Sequence, residues 1–255
     1  MKIQFVASDH PEPHNPIFIC GLPGSAFVGK FALDHLISDL SAKLFGEIYN
    51  DAFPPEILIK EDGTAALIKN ELHYAKGEGG MRDIVLFTGE SQPSTAESNY
   101  ALSEYVADVA KQYGARELVT LGAYVTGTFV DSPKVYAVAT DHATVTRLES
   151  SGCVIMNDGL ITGMNGLLLG MAKLKGLTGF TLLGETSGLS FDPKASGVVL
   201  QTLSKVLGIP IDMKKLEQRA RDAQEAMNAI EDLKNKEAQE SGAPRPERKR
   251  LDYIS

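Results

Sequence analysis

Short apolar runs alternate along this chain with longer stretches whose apolar side chains return every three or four positions. That alternation predicts strands interleaved with helices, the pattern of an α/β fold. Strands are expected at 2–7, 17–20, 56–60, 65–74, 83–87, 117–121, 135–139 and 180–183, with helices filling the intervals. Ser94 with Glu97 three residues on forms a capping box for a helix over 95–113 that Gly114 stops. Asp192 as N-cap with Pro193 at the first helical position starts another, which runs to Leu207 before Gly208. Further helices begin near Ser25 and Met164. No internal repeat is seen.

After Pro210 the pattern changes. Leu216, Ala220, Ala223, Met227, Ile230 and Leu233 are spaced by fours and threes, one apolar stripe on a helix over 212–240. The stripe covers too few heptads to demand a coiled coil, and a helix packed on its own domain explains it equally well. Residues 241–255 hold two prolines, four basic side chains and no periodicity, which predicts a mobile tail. The expected organisation is an α/β domain over 1–211, the helix, and the tail.

Composition narrows the function classes. A chain of 255 residues can bury roughly 70 to 75% of its unfolded surface without disulfides or a structural metal. Cys20 and Cys153 lie in apolar runs and lack the spacing of a zinc site or a disulfide scaffold, which predicts a reduced, intracellular protein. No apolar run approaches 18 residues and Met1 is not followed by a leader pattern, so a cytoplasmic location is expected, away from membranes. A formal charge of −8 opposes nucleic-acid binding, which rests on basic side chains neutralising phosphates.

Gly24-Ser-Ala-Phe-Val-Gly29-Lys30 has the glycine spacing of a phosphate loop, but Phe31 stands where that loop needs a hydroxyl for magnesium. Ala26, Phe27 and Val28 read instead as the first turn of an amphipathic helix. Glycine-rich turns follow the strands at Thr88-Gly-Glu90, Gly122-Ala-Tyr-Val-Thr-Gly127 and Gly184-Glu-Thr-Ser-Gly188. In an open parallel sheet these turns share the carboxyl edge, where ligand crevices form. Glu90 and Glu185 could pair there for acid/base work beside Tyr124 and Thr126, or could cap helices. Ser187 is in the wrong order for a nucleophile elbow. Prolines 11, 13 and 16 keep Asp9, His10 and His14 from aligning as metal ligands, and His35, His73 and His142 lack a partner pattern. No catalytic residue, metal or cofactor is implied.

Several segments taken together resemble archaeal members of the proteasome assembly chaperone 2 family. They are Gly21-Leu-Pro-Gly24 with Val28-Gly-Lys30, Phe53-Pro-Pro55, Leu86-Phe-Thr-Gly-Glu90, Thr120-Leu-Gly-Ala-Tyr-Val-Thr-Gly127, Gly159-Leu-Ile-Thr-Gly163, Gly166-Leu-Leu-Leu-Gly170 and Leu183-Gly-Glu-Thr186. The resemblance runs in order from about Ile17 to Asp212. It implies a three-layer α/β/α domain similar to the phosphorylase/hydrolase-like fold, a homo-oligomer, and a non-enzymatic role in assembling proteasome α-subunits. The family's archaeal chaperones are recognised by a tail ending in a hydrophobic residue, tyrosine and any last residue. Here the end is Asp252-Tyr253-Ile254-Ser255, with the tyrosine one place earlier. By resemblance, Tyr253, Ile254 and Ser255 are the partner-binding residues.

Overall fold

The computed structural model describes residues 2–188, 191–218, 221, 222 and 225. Its strands are β1 (Ile3–Ala7), β2 (Ile17–Gly21), β3 (Lys43–Asn50), β4 (Ile57–Ile59), β5 (Ala65–Leu67), β6 (Asn70–Ala75), β7 (Ile84–Gly89), β8 (Glu117–Val125), β9 (Val135–Ala139), β10 (Val154–Ile155) and β11 (Thr178–Thr186). Its helices are α1 (Val28–Asp39), α2 (Ala96–Gln112), α3 (His142–Ser150), α4 (Gly163–Leu174) and α5 (Pro193–Leu207).

Nine strands form one sheet in the order β1-β3-β6-β7-β2-β8-β11-β9-β10, and β4 and β5 make a separate hairpin. The central four, β7, β2, β8 and β11, are parallel and flanked by antiparallel neighbours. A parallel centre must be covered on both faces. Accordingly α1 and α5 pack with Ile19, Leu121 and Leu182 on one face, and α2 and α4 pack with Phe18, Phe87 and Leu118 on the other. This is the expected three-layer α/β/α architecture. Both cysteines are unpaired and buried, and burial pushes both thiols up from their ordinary range. No helix among the described residues is long and apolar enough to cross a membrane.

Four expectations need correction. The interval holding β3 is expected to be helix, but it is a strand paired with β1 and β6 and interrupted by a β-bulge between Leu44 and Gly46. The single strand expected over 65–74 is two strands in two sheets, because at Lys69 the backbone turns aside to exchange hydrogen bonds with Glu90. The α2 cap sits one residue later than expected. Thr95 accepts from the Ser98 backbone at 3.2 Å and the Ser98 hydroxyl reaches back at 3.3 Å, while Ser94 donates to Ala52. Finally, Ala26 and Phe27 are not the first turn of α1. They are left-handed (φ 52° and 56°) in a tight turn over 25–27, and the helix starts at Val28.

Asp192, Pro193 and Gly208 frame α5 as expected. The C-terminal helix begins with residues 213–218, and Leu216 is 2% exposed in the core between α1 and α5. At that position the stripe packs on its own domain. Ala220, Ala223, Met227, Ile230, Leu233 and the tail over 241–255, with Tyr253, Ile254 and Ser255, lie outside the described residues.

Candidate functional site

The parallel strands end at one edge, and there the β2–α1, β7–α2 and β10–α4 loops converge over the ends of β8 and β11. They enclose a cavity of about 370 Å³. Leu22, Gly29, Gly122 and Leu183 are among its lining, and Val125 and Leu160 are at its rim, 51% and 92% exposed. Among the described residues, no lysine, arginine, histidine, aspartate or glutamate lines it.

Gln92 ties the loops together. Its amide nitrogen donates to the Pro23 carbonyl at 2.6 Å, and its oxygen accepts from the Met164 backbone at 3.0 Å. The second bond caps α4, whose N-cap Thr162 makes no side-chain cap of its own. One wall of the cavity is Tyr124, stacked on Tyr136 with ring centroids 4.0 Å apart. Burial, with the Glu185 carboxylate nearby, pushes the Tyr136 phenol up. Asn165 lies beside Gly122, where a Cβ would overlap its amide, and its buried Oδ1 has no hydrogen-bond partner among the described residues.

The candidate crevice residues are divided by this arrangement. Tyr124 and Glu185 are in register on β8 and β11, and the Thr126 hydroxyl donates to the Thr186 carbonyl at 3.2 Å. Glu90 leaves the end of β7, three strands from β11, so the two glutamates are separated by roughly 14 Å of sheet. They are therefore not a close carboxylate pair, and neither caps a helix. Glu90 accepts from the Lys69 backbone at 2.9 Å and Glu185 from the Lys134 backbone at 3.0 Å, so each closes a loop onto its strand. Of the four residues, Tyr124 alone lines the cavity.

The phosphate-loop lookalike is explained by packing. A Cβ at Gly29 would overlap the Leu121 carbonyl, and one at Gly21 would overlap Gly29, so these glycines let α1 lie directly on the sheet. Lys30 turns away to Asp34, 2.6 Å distant one turn on. Among the described residues no group of three or more His, Cys, Asp or Glu side chains is placed to hold a metal.

Gln92 and Asn165 escape sequence reasoning. Gln92 reaches partners 69 and 72 positions away, and no local pattern marks it.

Comparison with known proteins covers nearly the whole chain. MJ1210, an uncharacterised protein of Methanocaldococcus jannaschii, is 32% identical over 241 residues, 94% of this chain and 92% of that protein. The crystal structure of Pyrococcus furiosus PbaB, described as an archaeal proteasome activator, is similar at TM-score 0.82. Its identity is 34%, with 90% of this chain and 98% of that one covered. Pyrococcus furiosus PbaA, an archaeal homolog of proteasome-assembly chaperone, is 28% identical at TM-score 0.74, covering 94% and 96%. The PAC2 family model matches residues 18–231, and the chain belongs to the PAC2 family.

Proposed function

We propose that this protein is a non-enzymatic, homo-oligomeric factor that engages proteasome α-subunits in the cytoplasm, with its C-terminal segment as the docking element. The observation that carries this reading is the full-length similarity to a protein described as an archaeal proteasome activator. The described carboxylates support it, since Glu90 and Glu185 are each spent on a loop backbone. In the docked state Tyr253 is the aromatic anchor, with Ile254 and Ser255 beside it. Arg248, Lys249 and Arg250 add an electrostatic approach that weakens with salt.

Affinity for isolated α-rings tests the reading, using the full chain, a chain truncated after Ser241, Tyr253→Ala, and a chain lacking Ser255. Truncation and Tyr253→Ala abolish binding. Deleting Ser255 strengthens it, because Tyr253 then stands next to last. Equal binding by all four chains, at low and high salt, removes the tail from the interaction. Light scattering at tens of micromolar checks the oligomer, and a monomer mass there removes that part.

A further inference from the structure

We propose that β1 is a pairing edge for a second copy of this chain: two β1 strands run antiparallel about a two-fold axis at Phe5 and join the two sheets into one. The inference deepens the oligomer part of the proposed function and is independent of proteasome engagement.

β1 lies at one end of the nine-strand order and, among the described residues, pairs with β3 alone. The Asp51 backbone donates to the Lys2 carbonyl, and the Ser8 backbone to the Phe45 carbonyl. Successive residues of a strand turn their backbone groups to alternate sides, so between those two bonds Gln4 and Val6 face β3. The N–H and C=O of Ile3, Phe5 and Ala7 therefore face outward. Sheet edges are usually blunted by shortness, proline, a charged side chain or a bulge. The opposite edge is blunted in this way, since β10 has two residues. β1 has five, Ile-Gln-Phe-Val-Ala, with no proline and no charge, in unbroken register with β3.

The same edge of a second copy is its complement. About an axis at Phe5 the outward groups meet in hydrogen-bonded pairs, Phe5 with the partner's Phe5 and Ile3 with the partner's Ala7. Gln4 then stands opposite the partner's Val6 and covers a side chain that is 40% exposed in the single chain. At both ends Lys2 of one copy comes beside Asp9 of the other, so opposite charges meet. A stable dimer buries about 800 Å² per partner, more than a five-residue strand supplies. The surface continues past Lys2 and Gln4 into an open groove of about 900 Å³, walled by Ile57 and Leu67 of the β4–β5 hairpin, 58% and 63% exposed.

Two variants of the full chain test the pairing. Ala7→Pro removes an N–H that β3 does not use, so the circular dichroism spectrum stays that of the parent while light scattering at tens of micromolar shows the mass halved. Gln4→Cys combined with Val6→Cys places thiols in non-hydrogen-bonded cross-strand pairs, with Cα atoms about 4.5 Å apart, within the span of a disulfide. Mild oxidation with glutathione disulfide converts this chain mainly to a covalent dimer. Gln4→Cys alone, whose copies lie farther apart, and the parent, with Cys20 and Cys153 buried, stay uncross-linked. If Ala7→Pro loses the parent's spectrum, cross-linking decides alone. An unchanged mass in folded Ala7→Pro, or no covalent dimer from the double variant, overturns the proposal and leaves the oligomer to another surface. A monomeric parent overturns both the proposal and the oligomer reading, and leaves the edge to an extended segment of a different protein.

Discussion

Gly29 on α1 lies against the carbonyl of Leu121 on β8, so closely that a Cβ at position 29 would overlap it. This contact sets the depth at which α1 rests on the sheet. Gly29→Ala is therefore expected to force the helix outward and destabilise the fold by about 1 to 3 kcal/mol, read as a lower denaturant midpoint. An unchanged midpoint would show that α1 can shift at no cost.

The same geometry bears on nucleotide binding. Lys30 is committed to Asp34, and Thr88 donates to Asp34 from the sheet at 3.2 Å. Calorimetry with ATP and magnesium is expected to show no specific heat, and Lys30→Ala to change nothing. Micromolar binding lost in Lys30→Ala would reinstate a phosphate site.

At the opposite edge of the sheet, Glu117 is 6% exposed and is held by Arg82 at 2.7 Å and by Arg147, whose guanidinium also lies over the Phe180 ring. Removing the carboxylate leaves two arginines facing each other around a buried site. Both are partly exposed and recover some hydration, so Glu117→Ala is expected to cost about 2 kcal/mol. Thermal unfolding would register this as a melting temperature lower by about 4 to 8 °C. A loss under 1 kcal/mol would mean that water replaces the carboxylate.

Glu71 should make stability depend on acid. Its hydrogen bond with the His73 ring, and then the Lys69 ammonium, hold its carboxyl down at about 2, against an ordinary value of 4.5. A depressed carboxylate contributes stability that is present above pH 4.5 and is lost as pH falls toward 2. Discounted for its partly exposed, shared position, the contribution is about 1 to 2 kcal/mol. The Glu71→Gln protein should show a shallower fall in melting temperature between pH 5 and pH 3 than the parent. Parallel curves would place the acid sensitivity elsewhere.

For Glu90 and Glu185, replacement by Gln keeps an acceptor oxygen for the Lys69 and Lys134 backbones and weakens a charge-assisted bond. Each is expected to lose about 1 kcal/mol or less. A rise in melting temperature for either would point to a crowded, electrostatically strained site and favour an enzymatic reading.

Local patterns in the sequence determine much of this protein. The parallel core strands are apolar runs because both faces are buried, and they can be read directly for that reason. Asp192, Pro193 and Gly208 place α5 to the residue, since capping is decided by neighbours in the chain. Phe31 was enough to set aside a phosphate loop.

Other features depended on partners distant in sequence. β3 forms only by pairing with β1 and β6, which lie elsewhere in the chain, and the need for glycine at Gly29 shows only once Leu121 is seen beneath it. Tyr124 was legible as an edge residue, whereas Asn165 and the Gln92 clamp were not, because hydrogen bonds spanning about 70 residues leave no periodic trace. The distance between Glu90 and Glu185 was decided in the same way. Each follows a glycine at a strand end, but strand order is a property of the assembled sheet, and that order places β2 and β8 between them.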